Sequence, residues 1–353
     1  MQVHKFCVNK DTTIINSIKV LDQTAKKIVL VVEDEKLIGV VTDGDVRRWI
    51  LQNGSLEEKV ESIMTPNPVC ILHNERVKGR ELFITKQVEA IPVVDKQHRV
   101  VDIMFWSDSL ENDRPISNKL ENVPVVIMAG GKGTRLYPYT KVLPKPLIPI
   151  GEQTILEHIM QRFERFGCNT FYLTVNYKKN MIKAYLEEQK EDIRVHYVEE
   201  EKFLGTGGSL YLLKNTLNGT FIVSNCDILV EADYADIINY HKQNGYKITM
   251  VTSLKNYTIP YGVISVANGG SISEIVEKPE YNFQVNTGFY VLESEVLEEI
   301  PENQFFHITQ LINEYVERGE KVGVYPITGN SWMDMGEIQE MEMMINRLKT
   351  EAE

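Results

Sequence analysis

Residues 125–147 read VVIMAGGKGTRLYPYTKVLPKPL, and the fold of everything C-terminal to them follows from how this stretch is understood. The apolar run 125–129 has the length and composition of a buried strand. It opens without a break into a loop carrying Gly130, Gly131 and Gly133. Bare backbone amides at the end of a strand, here those of Ala129, Gly130, Gly131, Gly133 and Thr134, suit phosphate oxygens. Arg135 and Lys145 add cations able to neutralise a phosphoryl group under attack. Two other glycine loops are excluded. A Walker loop ends Gly-Lys-Ser/Thr, and the order here is different. A dinucleotide fingerprint runs straight into a helix, which Pro138, Pro144, Pro146 and Pro149 oppose.

Further along the chain, strands are expected at 170–176, 194–199, 220–224 and 247–252, with amphipathic segments between them. In 154–166, Ile155, Leu156, Ile159, Met160 and Phe163 share one helical face, and Gly167 is placed to cap it. Alternating strands and helices predict an α/β domain, a doubly wound and mostly parallel sheet covered on both faces. Residues 261–277 break that rhythm and read as a hairpin with a glycine turn, suited to the wall of a cleft. No hexapeptide repeat follows, so a trailing β-helix is not expected.

Before the decisive stretch lies a weak repeat. Residues 28–46 (IVLVVEDEKLIGVVTDGDV) and 90–110 (AIPVVDKQHRVVDIMFWSDSL) match at an offset of 62 or 63 positions. Each copy reads as strand, turn, strand, then an aspartate opening a helix, and two copies stacked together bury faces that neither buries alone. Residues 107–123 are polar and aperiodic. The expected organisation is an α+β module at 1–110, a linker at 111–123 and the α/β domain at 124–353.

With 353 residues the chain has room for two or three domains, and its 43% hydrophobic content suits a globular protein. No apolar run approaches the ~20 residues of a membrane span, and the N-terminus lacks a signal-peptide core. Cys7, Cys70, Cys168 and Cys226 show no CxxC spacing, so the cytoplasm is the expected compartment. A net charge of −12 argues against nucleic acid. An acidic protein that binds polyanions must gather positive charge locally or recruit a metal ion.

Several further motifs follow in order: LGTGGSL (204–210), SNCDIL (224–229), Tyr261-Gly262, Glu277-Lys278, Asn286-Thr287-Gly288 and WMDMGE (332–337). Together with 125–147 they resemble the sugar-1-phosphate nucleotidylyltransferases across residues 123–348. The resemblance implies a nucleotide held by the first loop and by Gly205 and Thr206, with Arg135 and Lys145 catalytic. The family reads the base edge five residues before that second turn, which falls on Glu200. A carboxylate there accepts from guanine N1 and N2 and fits uracil or thymine poorly, so GTP is the expected donor, with UTP and CTP left open. Asp227 and Asp334 are the implied Mg²⁺ ligands. Tyr261, Gly262, Glu277, Lys278, Asn286 and Thr287 are the implied sugar-phosphate contacts. Two positions depart from the family pattern: Cys226 replaces a commoner glycine, and Glu337 replaces threonine. Taken singly, the aspartates read as helix caps, Glu200 as a solvated strand end, and Glu277-Lys278 as a surface ion pair.

The N-terminal repeat resembles a tandem pair of CBS motifs, strengthened by MTPNPV at 64–69. That resemblance implies an adenine nucleotide near Thr42 and Asp45 of the first copy and Asp108 of the second. The second copy carries Phe105 in place of the hydroxyl residue and Asp102 in place of glycine. CBS pairs often associate face to face, so a homodimer is expected. A CBS pair ahead of this transferase resembles guanylyltransferases acting on glucosamine 1-phosphate in bacterial legionaminic acid synthesis, with mannose and other sugar phosphates open. The competing reading is an inactive, nucleotide-sensing subunit. Such a chain has no need of Arg135, Lys145, Asp227, Lys278 and Asp334 together, and all are present.

Overall fold

The computed structural model describes residues 3–24, 26–78, 82, 86, 88, 90–105, 118–188 and 194–352. The chain divides into two compact units: Met1–Pro115 with Pro326–Asn330, and Ile116–Tyr325 with Ser331–Glu353.

In the first unit, β1 (Cys7–Asn9), β2 (Ile28–Glu33), β3 (Lys36–Thr42) and β4 (Thr65–Pro66) form one sheet. β5 (Ile71–Leu72), β6 (Ala90–Val94) and β7 (Val100–Phe105) form another. The sequence repeat is visible in the pairing. β1 runs parallel to β2, which pairs antiparallel with β3, and β5, β6 and β7 repeat that pattern. Even the register shift recurs, between Val31 and Val32 in one copy and between Val93 and Val94 in the other. Leu30, Leu37 and Val40 share a core with Val94, Ile103 and Phe105, so each copy covers the other's apolar face. Phe105 is 4% exposed, with its ring centroid 5.8 Å from that of Phe6. The second copy has therefore turned its hydroxyl position into core. Asp108 and the linker 111–117 lie outside the described residues.

The second unit is built on a seven-stranded sheet, introduced here with its neighbours in chain order. The strands are β8 (Val125–Met128), β9 (Pro149–Ile150), β10 (Gln153–Thr154), β11 (Thr170–Val175), β12 (Arg194–Glu199), β13 (Thr220–Asn225) and β14 (Ile228–Val230). They continue with β15 (Ile248–Thr258), β16 (Val263–Val266), β17 (Ile272–Val276), β18 (Glu280–Glu293), β19 (Val322–Ile327) and β20 (Trp332–Asp334). Sheet order is β12-β11-β8-β13-β18-β15-β19. β12, β11, β8 and β13 are parallel, whereas β18 is antiparallel to both β13 and β15. The sheet is thus parallel where β8 sits and antiparallel beyond β13. Hairpin-like returns need no helical crossover, which explains why the alternating pattern weakens there.

The helix Ile155–Glu164 buries Ile155, Leu156, Ile159, Met160 and Phe163, the face expected from spacing. It starts at a capping box: Glu157 N donates to Thr154 Oγ1 (3.3 Å), and Thr154 N donates to Glu157 Oε2 (2.6 Å). Its C-cap is Arg165 and not Gly167, which follows at φ 91° with its amide on the Glu164 carbonyl. Phe163 stacks on Phe289 of β18 and touches Phe171 and Tyr234, so one sheet face closes over aromatic rings. The other face buries Val126, Phe221, Val223 and Tyr290 against Leu210, Leu213, Leu311 and Ile312. Among the described residues no helix is long and apolar enough to cross a membrane.

Candidate active site

The site gathers at the carboxyl ends of the parallel strands, where a doubly wound sheet leaves its crevice. β8 ends at Met128, and Ala129 is held in line by its amide on the Thr174 carbonyl of β11 (2.9 Å). Gly130 and Gly131 then leave the sheet. A Cβ on Gly130 would stand 2.3 Å from Glu200 Oε1, so any side chain there requires the carboxylate to move. Gly133 adopts φ 62°, and its carbonyl accepts from Thr140 Oγ1 (3.0 Å). The prolines do not abolish helical structure altogether. They restrict it to short turns at Thr134–Leu136, Tyr139–Val142 and Lys145–Leu147. Thr134 and Arg135 are exposed, while Lys145 is 6% exposed.

Lys145 is buried with its ammonium ion-paired to Asp227 Oδ2. Asp227 follows β13 and precedes β14, and β14 pairs antiparallel with β20 in the register Ile228↔Asp334. The Met335 amide donates to the Asp227 carbonyl (2.8 Å), locking the two short strands together. Asp334 therefore lies beside Asp227. Burial, then the Asp227 charge, then Glu340 push the Asp334 carboxyl up to about 6, against the pull of Lys145 and Arg135. Around Gly336 the Asp334 carboxylate, the Glu340 carboxylate and an Arg135 guanidinium nitrogen converge, at 2.9, 3.0 and 3.3 Å from where a Cβ would stand. Glu340 escaped the motif reading. Its signal was the Glu three residues after Glu337, the N-terminal pattern of a helix, and its Oε2 accepts the Glu337 amide (3.2 Å). Cys226 is buried, and desolvation with the Asp227 charge pushes its thiol up to about 12, so it is no nucleophile at neutral pH.

Glu200 follows β12 and is 4% exposed, not a solvated strand end. Its Oε2 accepts the Leu204 amide (3.0 Å), and its backbone is fixed by Val175 and by Asn176 Nδ2 (2.7 Å). Burial raises the carboxyl above its ordinary range, partly offset by the bonds from Leu204 and Thr174. Gly205 (φ 77°) begins the turn, and Thr206 Oγ1 accepts the Ile308 amide (3.3 Å).

The residues expected on the sugar side are less uniform. Tyr261 is 73% exposed at the base of the β16–β17 hairpin, and Gly262 lies against the Glu277 carboxylate. The Lys278 amide returns to the Tyr261 carbonyl (3.3 Å), so Glu277 and Lys278 close the hairpin and face solvent. Asn286 bonds Tyr290 Oη (2.6 Å) and accepts the Gly288 amide. Thr287 is 2% exposed and donates to the Val251 carbonyl (2.7 Å), so its side chain braces β18 against β15.

In the first unit, Asp45 Oδ2 accepts both the amide (2.8 Å) and the hydroxyl (2.7 Å) of Thr42, and Oδ1 accepts from Arg48 (2.5 Å). These two residues start the helix Asp43–Leu51.

Two hard oxygen donors with no thiolate or imidazole between them fit Mg²⁺, which keeps several waters and takes one or two carboxylates plus substrate phosphates. The mutual repulsion of Asp227 and Asp334 is what a divalent ion relieves. Among the described residues there is no group of three or more His, Cys, Asp or Glu arranged to hold a metal by themselves.

Residues 124–351 match the nucleotidyl transferase family and residues 1–52 match the CBS domain. The chain belongs to the nucleotidyl transferase family, with a CBS domain at its N-terminus. It is 33% identical over 220 residues to the bifunctional protein GlmU of Methanococcus maripaludis, covering 60% of this chain and 51% of that protein. It is 30% identical over 236 residues to the mannose-1-phosphate guanylyltransferase catalytic subunit beta of Dictyostelium discoideum, covering 64% and 65%. The chain thus spans about half the length of the GlmU relatives it matches. The crystal structure of HddC from Yersinia pseudotuberculosis shares the fold, with a TM-score of 0.52 and 24% identity over 64% of this chain and 99% of that one.

Proposed function

We propose that the chain is a sugar-1-phosphate guanylyltransferase, forming a GDP-sugar and pyrophosphate from GTP and a hexosamine or hexose 1-phosphate. The observation that carries the reaction class is the convergence of Lys145, Arg135, Asp227 and Asp334 beside the glycine loop after β8. GTP is supported by a buried Glu200 carboxylate at the second glycine turn and by a guanylyltransferase among the relatives. Glucosamine 1-phosphate is the first sugar to test, from the CBS domain ahead of the transferase. An adenine nucleotide at the CBS module and a homodimer belong to the same reading.

The sugar phosphate oxygen attacks the α-phosphorus in line, and pyrophosphate leaves on the opposite side. A phosphate dianion needs no general base, so catalysis is positioning and charge neutralisation. The amides of the Gly130–Gly131 loop orient the triphosphate. Arg135 neutralises charge on the leaving phosphates, and Lys145 exchanges its Asp227 partner for the α-phosphate oxygens. Lys278 and Glu277 orient the incoming sugar phosphate, and Glu200 accepts from the guanine edge. Asp227 and Asp334 would hold Mg²⁺, which when bound would supply Lewis-acid charge to the transfer. The test is pyrophosphate release with Mg²⁺, crossing GTP, UTP, CTP, dTTP and ATP against a panel of sugar 1-phosphates. A GTP and glucosamine 1-phosphate signal is expected. Release with another pair replaces the substrates, and silence from folded protein replaces the reaction.

A further inference from the structure

Two large aromatic side chains flank the second glycine turn and neither is buried: Phe203 is 50% exposed and Phe305 is 55% exposed. They come from distant parts of the chain, yet their ring centroids stand 5.8 Å apart. Phe305 also meets His307 edge-on at 4.8 Å. Backbone pairing places them there. The Phe306 amide donates to the Leu204 carbonyl (2.9 Å), and the amides of Gly207 and Gly208 both donate to the Phe306 carbonyl (2.9 Å each). Residues 304–308 are thus clamped onto the turn. Alternation does the rest: Phe306 and Ile308 point into the core at 7% and 2% exposure, leaving Phe305 outside. Gly205 is what lets the ring lie close, since a Cβ there would stand 3.2 Å from the Phe305 ring and 2.8 Å from the Phe306 carbonyl.

The carboxylate of Glu200 accepts the amide of Leu204, the residue between Phe203 and Gly205. A buried carboxylate and a pair of solvated rings therefore meet at one short loop. We infer that Phe203 and Phe305 form an aromatic wall of the base subsite, on which the nucleobase stacks while Glu200 holds its edge. This rests on the reading that the glycine turn holds the base. Rings left in water gain nothing from the core, whereas every base offers them a π-face, and a purine offers the larger one.

Titration calorimetry with GTP and with UTP in Mg²⁺ tests this on the full chain, needing no knowledge of the sugar. Phe203→Ala and Phe305→Ala are each expected to raise the Kd for GTP roughly tenfold, with little change in Tm. Phe305→Leu, which keeps bulk and loses the ring, should weaken binding in the same direction. Unchanged Kd in both alanine variants overturns the wall and leaves the proposed reaction standing. A wild type that prefers a pyrimidine nucleotide overturns the Glu200 reading instead. The wall is then judged on that nucleotide, where loss of affinity supports it and no loss overturns it. A wild type that binds no nucleoside triphosphate overturns both.

Discussion

Asp227 does two things at once: its backbone carbonyl holds β20 in register and its side chain pairs with Lys145. Only the second is lost in Asp227→Asn. That variant should keep its far-UV circular dichroism while kcat falls by about 10²- to 10³-fold or more, the scale of losing a charge stabiliser. Substantial remaining turnover would remove Asp227 from the chemistry. Glu200 presents a different balance. Its carboxyl is raised in the folded chain, so the folded state holds a proton more tightly than the unfolded one. Stability from this group therefore declines as pH rises from the ordinary carboxylate range through the raised folded value, and it is lowest above that value. On the proposed reading Glu200 accepts from the guanine edge in its charged form, so GTP affinity should decline as pH falls through that same window. Glu200→Gln is expected to raise Tm near pH 7 while weakening GTP and flattening the pH dependence of its Kd. A variant that binds GTP normally would show that the carboxylate is only structural.

At the scale of elements, the site depends on short pieces held by longer ones. The helix Ile155–Glu164 is anchored through its capping box, and its buried face supports the sheet beneath the glycine loop. Thr154→Ala removes the cap and should cost about 1 kcal/mol in urea unfolding, with KM for GTP unchanged. Gly288 is less forgiving. Its φ is 85°, and a Cβ would stand 2.4 Å from Asn225 Nδ2, between β18 and the end of β13. Gly288→Ala should destabilise more than the cap variant and also lower kcat, because Asn225 lies two residues before Asp227. Equal stability loss in the two variants, with activity intact in both, would contradict that account.

At the scale of the whole molecule, a CBS domain precedes a transferase unit that carries Arg135, Lys145, Asp227, Lys278 and Asp334 together. Thr42 and Asp45 already satisfy one another and Arg48 at a helix start, which any ligand hydroxyl or phosphate must share or displace. A nucleotide bound there alters turnover only if it favours one of two conformations. Initial rates with added AMP or ATP should change in KM or kcat if the module regulates. Identical rates at saturating nucleotide would leave it a structural role.

Much of this was legible in residue order. The strand running into Gly130 and Gly131, the helix face of Ile155 and Phe163, and the doubled module were local patterns, and local burial periodicity is what a sequence encodes most directly. The cap at Arg165, the antiparallel β18 and the core position of Phe105 were not, since each depends on a partner far along the chain. Glu340 beside Asp334 and Phe305 beside Phe203 belong to the same class. The sequence by itself determined which groups the chain carries: two glycine loops, two aspartates, the cations Arg135 and Lys145, and Glu200. Only the tertiary structure decided which of them meet. Asp227 and Asp334 become neighbours through the register of two three-residue strands, β14 and β20. Strands that short carry almost no propensity of their own, and are held by the fold around them.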